Sequence, residues 1–134
     1  MKKLKLRLKA FKMTVSKERP WTDPISSTDV YDIYIDKFPV TEGHLLFVPK
    51  VDTTNGVLNC LDTAYYYGLT MVKENKWDGF NIGLNYGSTA GQTCDWSHVH
   101  LIPRYKGDVE DPTGGVRGVI PERQNYKKGK LYGN

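Results

Sequence analysis

The chain has 134 residues, of which 39% are hydrophobic and 25% are charged, and its net charge is +4 at pH 7. This length is sufficient for one domain with one core and too short for two. The sequence contains no long apolar run, so no membrane-spanning helix is predicted. Its basic charge favours an anionic ligand but does not identify one, because ordinary solubility explains the same charge equally well.

The cysteines and the first residues predict a cytoplasmic location. Cys60 and Cys94 fit neither a metal-ligand spacing nor a disulfide framework, which indicates a reducing compartment. The basic start at residues 1–3 resembles that of a signal peptide. Leucines then alternate with basic residues, however, and leave no continuous apolar segment of the kind that a signal peptide needs.

The N-terminal part of the chain predicts one strand and one long loop. Residues 3–11 alternate basic and apolar side chains, which is the period of a strand with one solvated face. Lysines on an edge strand discourage unwanted pairing, and contact with RNA is the alternative explanation. Residues 13–28 contain prolines and serines without sustained periodicity, which predicts a connecting loop. Trp21 within it either packs against the core or covers a ligand.

The central part predicts two strands and a helix. Residues 30–35 and 43–48 have high β-propensity and are separated by a turn at Pro39. Apolar residues then recur at helical spacing, which predicts a helix at roughly residues 58–75. Gly68 would cost roughly 1 kcal/mol there relative to alanine, unless another group packs closely against it. The tyrosines at 65–67 are predicted to belong to the core and to a dimer surface.

The last part predicts the remaining elements of one domain. Residues 80–84 form a strand, residues 85–91 a loop, and residues 91–104 a strand that contains two histidines. After Arg104 the chain is polar and rich in glycine and lysine, so residues 105–134 are predicted to pack as an extension on a single domain of residues 1–134. Together these elements predict an α+β fold, with a mainly antiparallel sheet of about five strands and one principal helix.

The strongest chemical signal is the run at residues 91–104, which reads GQTCDWSHVHLIPR. Successive side chains of a strand point to opposite faces. Trp96, His98 and His100 are therefore predicted to lie in a row on one face, at spacings of roughly 6.6 Å. Val99 and Leu101 are predicted to face the other way.

Two blocks of this sequence resemble the motifs of the histidine-triad (HIT) family. Residues 85–93 (NYGSTAGQT) and 98–104 (HVHLIPR) are similar to the family signature, in which three histidines alternate along a strand. Residues 36–50 (DKFPVTEGHLLFVPK) resemble a second family block, with Glu42 at a position that is usually proline. In this chain the second and third histidines are His98 and His100, and Trp96 stands in place of the first.

The resemblance implies a role for each matching residue. His98 is similar in position to the family nucleophile, and His100 to the histidine that holds charge near the α-phosphate. A neutral imidazole suits this chemistry, because one nitrogen can attack phosphorus while the other donates a hydrogen bond. The resemblance implies substrate binding by Asp36 through the ribose hydroxyls, by His44 beside the catalytic row, and by Asn85, Gln92 and Thr93 at the phosphate oxygens.

The resemblance also implies an activity and an assembly. We expect a homodimeric nucleotidyl hydrolase or transferase that attacks the α-phosphate of a nucleotide and forms a covalent nucleotidyl-histidine. Dinucleoside polyphosphates are the leading substrate class, and nucleoside phosphoramidates are a further one. Two alternatives are a phosphorylase-type transferase, in which phosphate resolves the intermediate, and a nucleotide- or RNA-binding protein with little turnover.

Three further residues are candidates for the site. An indole has one N–H donor and no acceptor, so Trp96 cannot relay a proton, although it could donate to a phosphate or form a wall of the site. Arg104 and Arg117 are candidates for phosphate binding, and a surface position is the alternative for each.

No metal site or other cofactor is predicted in the protein itself, although a divalent metal could bind together with the substrate phosphates. Alternate histidines on a strand face the same way, so His98 and His100 could also supply two metal ligands. A third ligand from Asp95 or His44 would be required, which makes a metal site the weaker interpretation.

Overall fold

The computed structural model describes residues 18–128, in which five antiparallel strands form a sheet and one α-helix packs on it. The strands are β1 (Ser26–Ser27), β2 (Tyr31–Ile35), β3 (Leu45–Pro49), β4 (Gly79–Gly83) and β5 (Val99–Arg104), and the helix α1 spans Thr54–Lys73. The order across the sheet is β1-β2-β3-β5-β4. This architecture confirms the predicted α+β fold. The strand predicted at residues 3–11 lies outside the described residues.

Alternation along the central strands divides the sheet into two faces, as strand geometry requires. The face against α1 carries the main core, whose buried members are Ile33, Leu45, Phe47, Cys60, Ala64, Trp77, Val99 and Leu101. The opposite face carries a second buried cluster, formed by Tyr34, Leu46, Val48 and Trp96. The prediction that Val99 and Leu101 point away from His100 is therefore confirmed.

Helix α1 begins four residues earlier than the sequence pattern predicted. The hydroxyl oxygen of Thr53 accepts a hydrogen bond from the backbone N–H of Gly56 at 3.0 Å, which makes Thr53 the N-cap. Such a cap satisfies one of the backbone donors that the first turn of a helix leaves unpaired. The polar residues before Leu58 do not recur with the apolar helical period, so periodicity alone could not place this first turn.

The close contact anticipated at Gly68 exists. A Cβ atom added at Gly68 would lie 2.8 Å from three carbon atoms of the Phe80 ring, which comes from β4. The ring packs flat enough on the helix backbone that alanine would force the whole ring to move. Glycine at this position therefore lets the helix approach the sheet.

Replacing Gly68 with alanine is expected to destabilise the fold by about 1 kcal/mol, and by about 2 kcal/mol at most. Overpacking against Phe80 costs about 1–3 kcal/mol, and the better helix propensity of alanine recovers only about 1 kcal/mol. Urea unfolding measures the difference. In a Phe80→Leu background, where the flat ring is absent, the same substitution should cost less; an equal cost in both backgrounds would contradict this explanation.

Two segments differ in detail from the sequence prediction. The loop predicted at residues 13–28 contains β1, which pairs with β2 through Ser26 and Ser27. A two-residue exposed polar strand has no apolar alternation, so its pairing is determined by the edge of β2 rather than by its own sequence. The histidine strand begins only at Val99, so residues 91–98 lead into β5 and are not part of it.

Residues after β5 follow the edge of the sheet at β4. They contain two 3-10 turns, Gly115–Val119 and Pro121–Arg123. A Cβ atom built on Gly115 would lie 3.4 Å from the amide nitrogen of Asn81 in β4, which shows how closely this segment passes. Within the described residues, no helix combines the length and apolar character needed to cross a membrane.

Candidate active site

Three strands bring an aspartate and three histidines together on the face opposite α1. Asp36 follows β2, His44 precedes β3, His98 immediately precedes β5, and His100 is the second residue of β5. The ring centroids of His98 and His100 are 5.1 Å apart, and those of His44 and His100 are 5.2 Å apart. The Oδ2 atom of Asp36 lies 3.4 Å from Nε2 of His44 and 3.8 Å from Nδ1 of His100. Four predicted site residues therefore form one cluster.

A backbone carbonyl determines which ring nitrogen of His98 carries the proton. Nδ1 of His98 lies 2.8 Å from the carbonyl oxygen of Trp96. A carbonyl oxygen only accepts hydrogen bonds, so Nδ1 must carry the proton. In the neutral ring the lone pair is then on Nε2. This carbonyl belongs to the residue two positions earlier in the same segment.

In His100 the proton is on the other ring nitrogen, Nε2, because of a hydrogen bond with His44. The backbone N–H of Val40 donates to Nδ1 of His44 at 3.0 Å, so in the neutral ring of His44 the proton is on Nε2. Nε2 of His44 lies 2.9 Å from Nδ1 of His100, so Nδ1 of His100 must accept the hydrogen bond. The proton of His100 is then on Nε2. His98 thus presents a lone pair at Nε2, while His100 presents an N–H donor at the equivalent atom.

Burial keeps His44 and His100 neutral. For His100, burial is the largest cause and the nearby rings of His98 and His44 add to it, so its pKa falls to about 4 despite the opposing charge of Asp36. Burial also lowers the pKa of His44, again against the effect of Asp36. Neutral rings at pH 7 agree with the proton positions that the hydrogen bonds require.

The free energy of unfolding is expected to fall as the pH drops from about 6.5 towards 4. In this range an unfolded chain protonates His100 near its ordinary pKa of 6.5, whereas the folded chain does so only near 4. The unfolded state therefore binds more protons, and stability decreases with acid by about 2–3 kcal/mol. Denaturant unfolding at several pH values measures this slope. A His100→Asn variant should show a shallower slope, and an unchanged one would contradict the assignment.

Asp36, His44 and His100 have the side chains of a metal site, but the hydrogen bonds of His44 disfavour metal binding. Asp36, His44 and His100 each place a potential ligand atom within 4.8 Å of the others. A metal at Nε2 of His44 would need a lone pair there, while the N–H of Val40 already requires the lone pair of Nδ1. The ring would have to lose both protons. His98, which the sequence offered as a ligand together with Asp95, does not belong to this group.

The loop before the histidines is closed by the side chain of Gln92. Its Oε1 atom accepts from the N–H of Gly87 at 2.8 Å, and its Nε2 atom donates to the carbonyls of Cys94 and Asp95 at 3.0 and 3.3 Å. Gly87 has φ +88° and Gly91 φ +95°, a region that glycine enters without strain. Gln92 therefore has a structural role in this loop, and its contact with phosphate stays a prediction.

The other predicted phosphate-binding loop residues lie on the same segment. Asn85 is half-buried and Thr93 is exposed. The end of the loop is held by Asp52, whose Oδ2 atom accepts from the backbone N–H of Ser97 at 3.1 Å. This contact fixes the segment between the loop and His98.

Trp96 shares the histidine face but is part of the packed interior. Its indole N–H donates to the carbonyl of Pro49 at 2.9 Å, and the residue is only 9% exposed. The N–H is thus committed to the backbone, so the suggested hydrogen bond from Trp96 to a phosphate does not hold in this structure. A contribution of the ring itself to substrate binding stays a prediction.

Sequence reasoning missed a charged cluster beside this site. Arg19 pairs with the buried carboxylate of Asp32 at 2.8 Å, and its guanidinium lies 5.3 Å from the ring centroid of Trp96. Lys50 also contacts Asp32, at 3.1 Å. Trp21, which the sequence does not place, packs against His98 with the ring centroids 4.9 Å apart. Only the alternation that places Asp32 and Tyr34 on one face could have indicated part of this arrangement.

The two candidate arginines are not brought to the histidine cluster. Arg104 lies at the opposite end of β5, where its guanidinium makes two hydrogen bonds of 2.8 Å to Asp108 and one to Asn81. Arg117 lies in the following segment and donates to the carbonyl of Gln124 at 3.3 Å. In the described residues, both therefore have structural partners of their own.

The fold and the site together define a class of α+β proteins that carry paired histidines on the open face of an antiparallel sheet, after a glycine-rich loop. The HIT domain family model matches residues 22–107, and the chain belongs to this family.

Several relatives extend this assignment. The chain is 34% identical over 111 residues to an uncharacterized HIT-like protein of Saccharolobus solfataricus, covering 78% of this chain and 77% of the relative. It is 29% identical to a bis(5'-adenosyl)-triphosphatase of Dictyostelium discoideum, with 84% and 83% covered. An AP-4-A phosphorylase of Mycobacterium tuberculosis is 33% identical, with 66% of this chain and 50% of that protein covered.

A solved structure supports the fold. A zinc-bound histidine triad family protein from Mycobacterium smegmatis superposes with a TM-score of 0.59 at 27% identity, covering 66% of this chain and 69% of the other.

Proposed function

We propose that this protein is a nucleotidyl hydrolase or transferase in which His98 attacks the α-phosphate of a nucleotide. The observation that carries the proposal is the pair of opposite proton positions on adjacent rings. The carbonyl of Trp96 leaves the lone pair of His98 on Nε2, and His44 leaves an N–H donor on Nε2 of His100. A nucleophile and a donor for developing phosphate charge are therefore held side by side.

The proposed first step needs no external base. The Nε2 lone pair of His98 forms a bond to the α-phosphorus while the bond from phosphorus to the leaving oxygen breaks. The leaving group departs with that electron pair as an anion, and the Nε2–H of His100 donates to a phosphate oxygen. His98 keeps its proton on Nδ1, so the nucleotidylated ring carries one positive charge. That charge is balanced by the anionic leaving group.

In the proposed second step, water replaces histidine at phosphorus. The water oxygen bonds to the α-phosphorus, the N–P bond breaks, and its electron pair returns to Nε2 of His98. One water proton is released to solvent, and the product is a nucleoside monophosphate. The ring then has the same proton on Nδ1 as at the start, held by the carbonyl of Trp96 throughout.

Asp36 and the glycine-rich loop would hold the substrate around this centre. One carboxylate oxygen of Asp36 already accepts from the N–H of Phe38 at 2.8 Å, which orients the group. The other oxygen faces His44 and His100 and could accept from ribose hydroxyls next to the α-phosphate. Asn85 and Thr93 offer amide and hydroxyl donors for phosphate oxygens.

The proposal is tested by the product profile of diadenosine polyphosphate incubated with the wild-type protein and with His98→Ala, with and without a metal chelator. We expect AMP from the wild type and none from the variant. The chelator arm shows whether a divalent metal bound to the substrate phosphates is needed. Intact nucleotide binding without turnover by the wild type would overturn the proposal and favour a nucleotide-binding protein with little turnover.

Phosphorolysis is a second candidate, favoured by the similarity to the AP-4-A phosphorylase. Phosphate would then replace water as the acceptor in the second step. The two reactions leave different products, because hydrolysis yields a nucleoside monophosphate and phosphorolysis yields a diphosphate. Adding inorganic phosphate to the same incubation separates them: a shift from AMP to ADP identifies a phosphorylase.

We further propose that the protein works as a homodimer in a reducing compartment such as the cytoplasm. On α1, the neighbouring side chains of Tyr65 and Tyr66 are 52% and 64% exposed and offer an aromatic surface that suits a subunit interface. Cys60 and Cys94 are both free thiols, as expected in a reducing compartment. Sedimentation of the wild type and of a Tyr65→Glu variant tests the interface.

A further inference from the structure

The ring that the proposed reaction charges lies against the indole of Trp21. The ring centroids of Trp21 and His98 are 4.9 Å apart, and the ring planes are tilted by 58°. Trp21 also packs with Tyr34, at a centroid distance of 6.2 Å and a tilt of 34°. Trp21 therefore packs on this face of the sheet against both Tyr34 of β2 and His98, in direct ring contact with the proposed nucleophile.

Contacts of Arg19 hold this segment on the sheet. The guanidinium of Arg19 pairs with Asp32 and rests on the ring of Trp96. Burial opposes ionisation of Asp32, but hydrogen bonds from Ser27, Arg19 and Lys50 outweigh it and lower the pKa of the carboxyl to about 2. The carboxylate is therefore charged at neutral pH. Because Trp21 is only two residues from Arg19, this ion pair restricts where the indole can lie.

We propose that Trp21 stabilises the positive charge that develops on His98 as the nucleotide is transferred to it. This inference rests on the proposed function. The neutral ring becomes a cation when Nε2 bonds to phosphorus, since the proton on Nδ1 is retained by the carbonyl of Trp96. A cation that lies over the face of an indole, within about 6 Å of its centroid, is attracted by the negative charge of that face. The centroid distance of 4.9 Å between Trp21 and His98 is within this limit.

The effect is specific to the charged state, which is why it would accelerate the reaction. Trp21 contacts His98 before and after attack, but the electrostatic part of the contact is gained only as the charge forms. An interaction that is stronger in the transition state than in the ground state lowers the barrier, whereas uniform binding does not. The expected contribution is about two- to thirty-fold in the rate of the first step.

The test replaces Trp21 site-specifically with increasingly fluorinated tryptophans. Fluorine withdraws charge from the face of the indole and changes its shape little. The rate of leaving-group release from diadenosine polyphosphate is then measured in single turnovers. We expect the logarithm of this rate to fall steadily with fluorination, by about two- to thirty-fold over the series. Trp21→Leu should have the lowest rate, near the thirty-fold decrease, because it has no aromatic ring. The rate of Trp21→Phe should lie between those of Trp21→Leu and the wild type.

Trp77 provides the matched control. It is buried in the main core on the other face of the sheet, so the same analogues at Trp77 should leave the rate unchanged. A rate that is independent of fluorination at Trp21, or that rises with it, overturns the inference while the nucleotidyl transfer stands. Turnover that survives in His98→Ala shows instead that the proposed function has failed. The fluorinated series decides the question even if Trp21→Leu does not fold.

Discussion

Replacing His98 with alanine is expected to lower the turnover of a dinucleoside polyphosphate by about 10⁴-fold or more. The side chain supplies the electron pair for the first step, and in the described residues no second imidazole has its proton on Nδ1. In the neutral tautomers assigned to His100 and His44, Nδ1 accepts a hydrogen bond and Nε2 carries the proton, so neither ring can substitute. Steady-state kinetics with purified variant and wild type measure the loss.

Two controls separate this chemical loss from a structural one. His98 is half-buried and makes one side-chain hydrogen bond, so its removal should lower the free energy of unfolding by only about 0.5–1.5 kcal/mol. His100→Asn removes a donor and not the nucleophile, and should cost less, about 10²- to 10³-fold. Equal losses for both variants, or adenylylated protein recovered from His98→Ala after quenching with denaturant at alkaline pH, would contradict the assignment of His98 as nucleophile.

The part of the site that could be predicted from sequence is the part encoded by local period. His98 and His100 are two residues apart, so any extended backbone places them on one side, and the buried pattern of Val99 and Leu101 follows from the same alternation. Helix α1 was predicted in its apolar middle and missed at Thr53, where the signal is a capping hydroxyl rather than an apolar residue.

The contacts that give the histidines their chemical roles depend on tertiary structure. The N–H of Val40 reaches His44 because the turn after β2 folds back, and His44 reaches His100 only across the sheet. Nothing in the spacing of these residues encodes which nitrogen carries the proton. Trp21 is likewise far from His98 in sequence, and its position depends on the ion pair that Arg19 makes with β2.

The backbone and the side chain of Trp96 make separate contacts. The carbonyl of Trp96 holds the proton of His98 on Nδ1, and every residue type supplies that carbonyl. The side chain is free to do something else, and here it donates to Pro49, packs in the second cluster and supports Arg19. Substitutions at position 96 should therefore act first on stability.

Replacing Trp96 with alanine is expected to lower the free energy of unfolding by about 3–5 kcal/mol, because a large buried ring is removed and Arg19 loses its support. Trp96→Phe keeps most of the volume but leaves the carbonyl of Pro49 without its donor, at a cost of about 1–3 kcal/mol. Trp96→His should fall between these two. Urea unfolding measures all three, and Tyr86→Ala, at a side chain that is 83% exposed, provides a surface control expected within about 0.5 kcal/mol.

The sequence resemblance implies a histidine at position 96, so Trp96→His is also a test of catalysis. Because the backbone carbonyl is unchanged, Trp96→His should not exceed the wild-type turnover under conditions where both proteins are folded. If the wild type were inactive and this change alone created turnover, the first position would be essential rather than supporting. The paired measurement of stability and turnover in one variant thus separates what the side chain at position 96 does from what its backbone does.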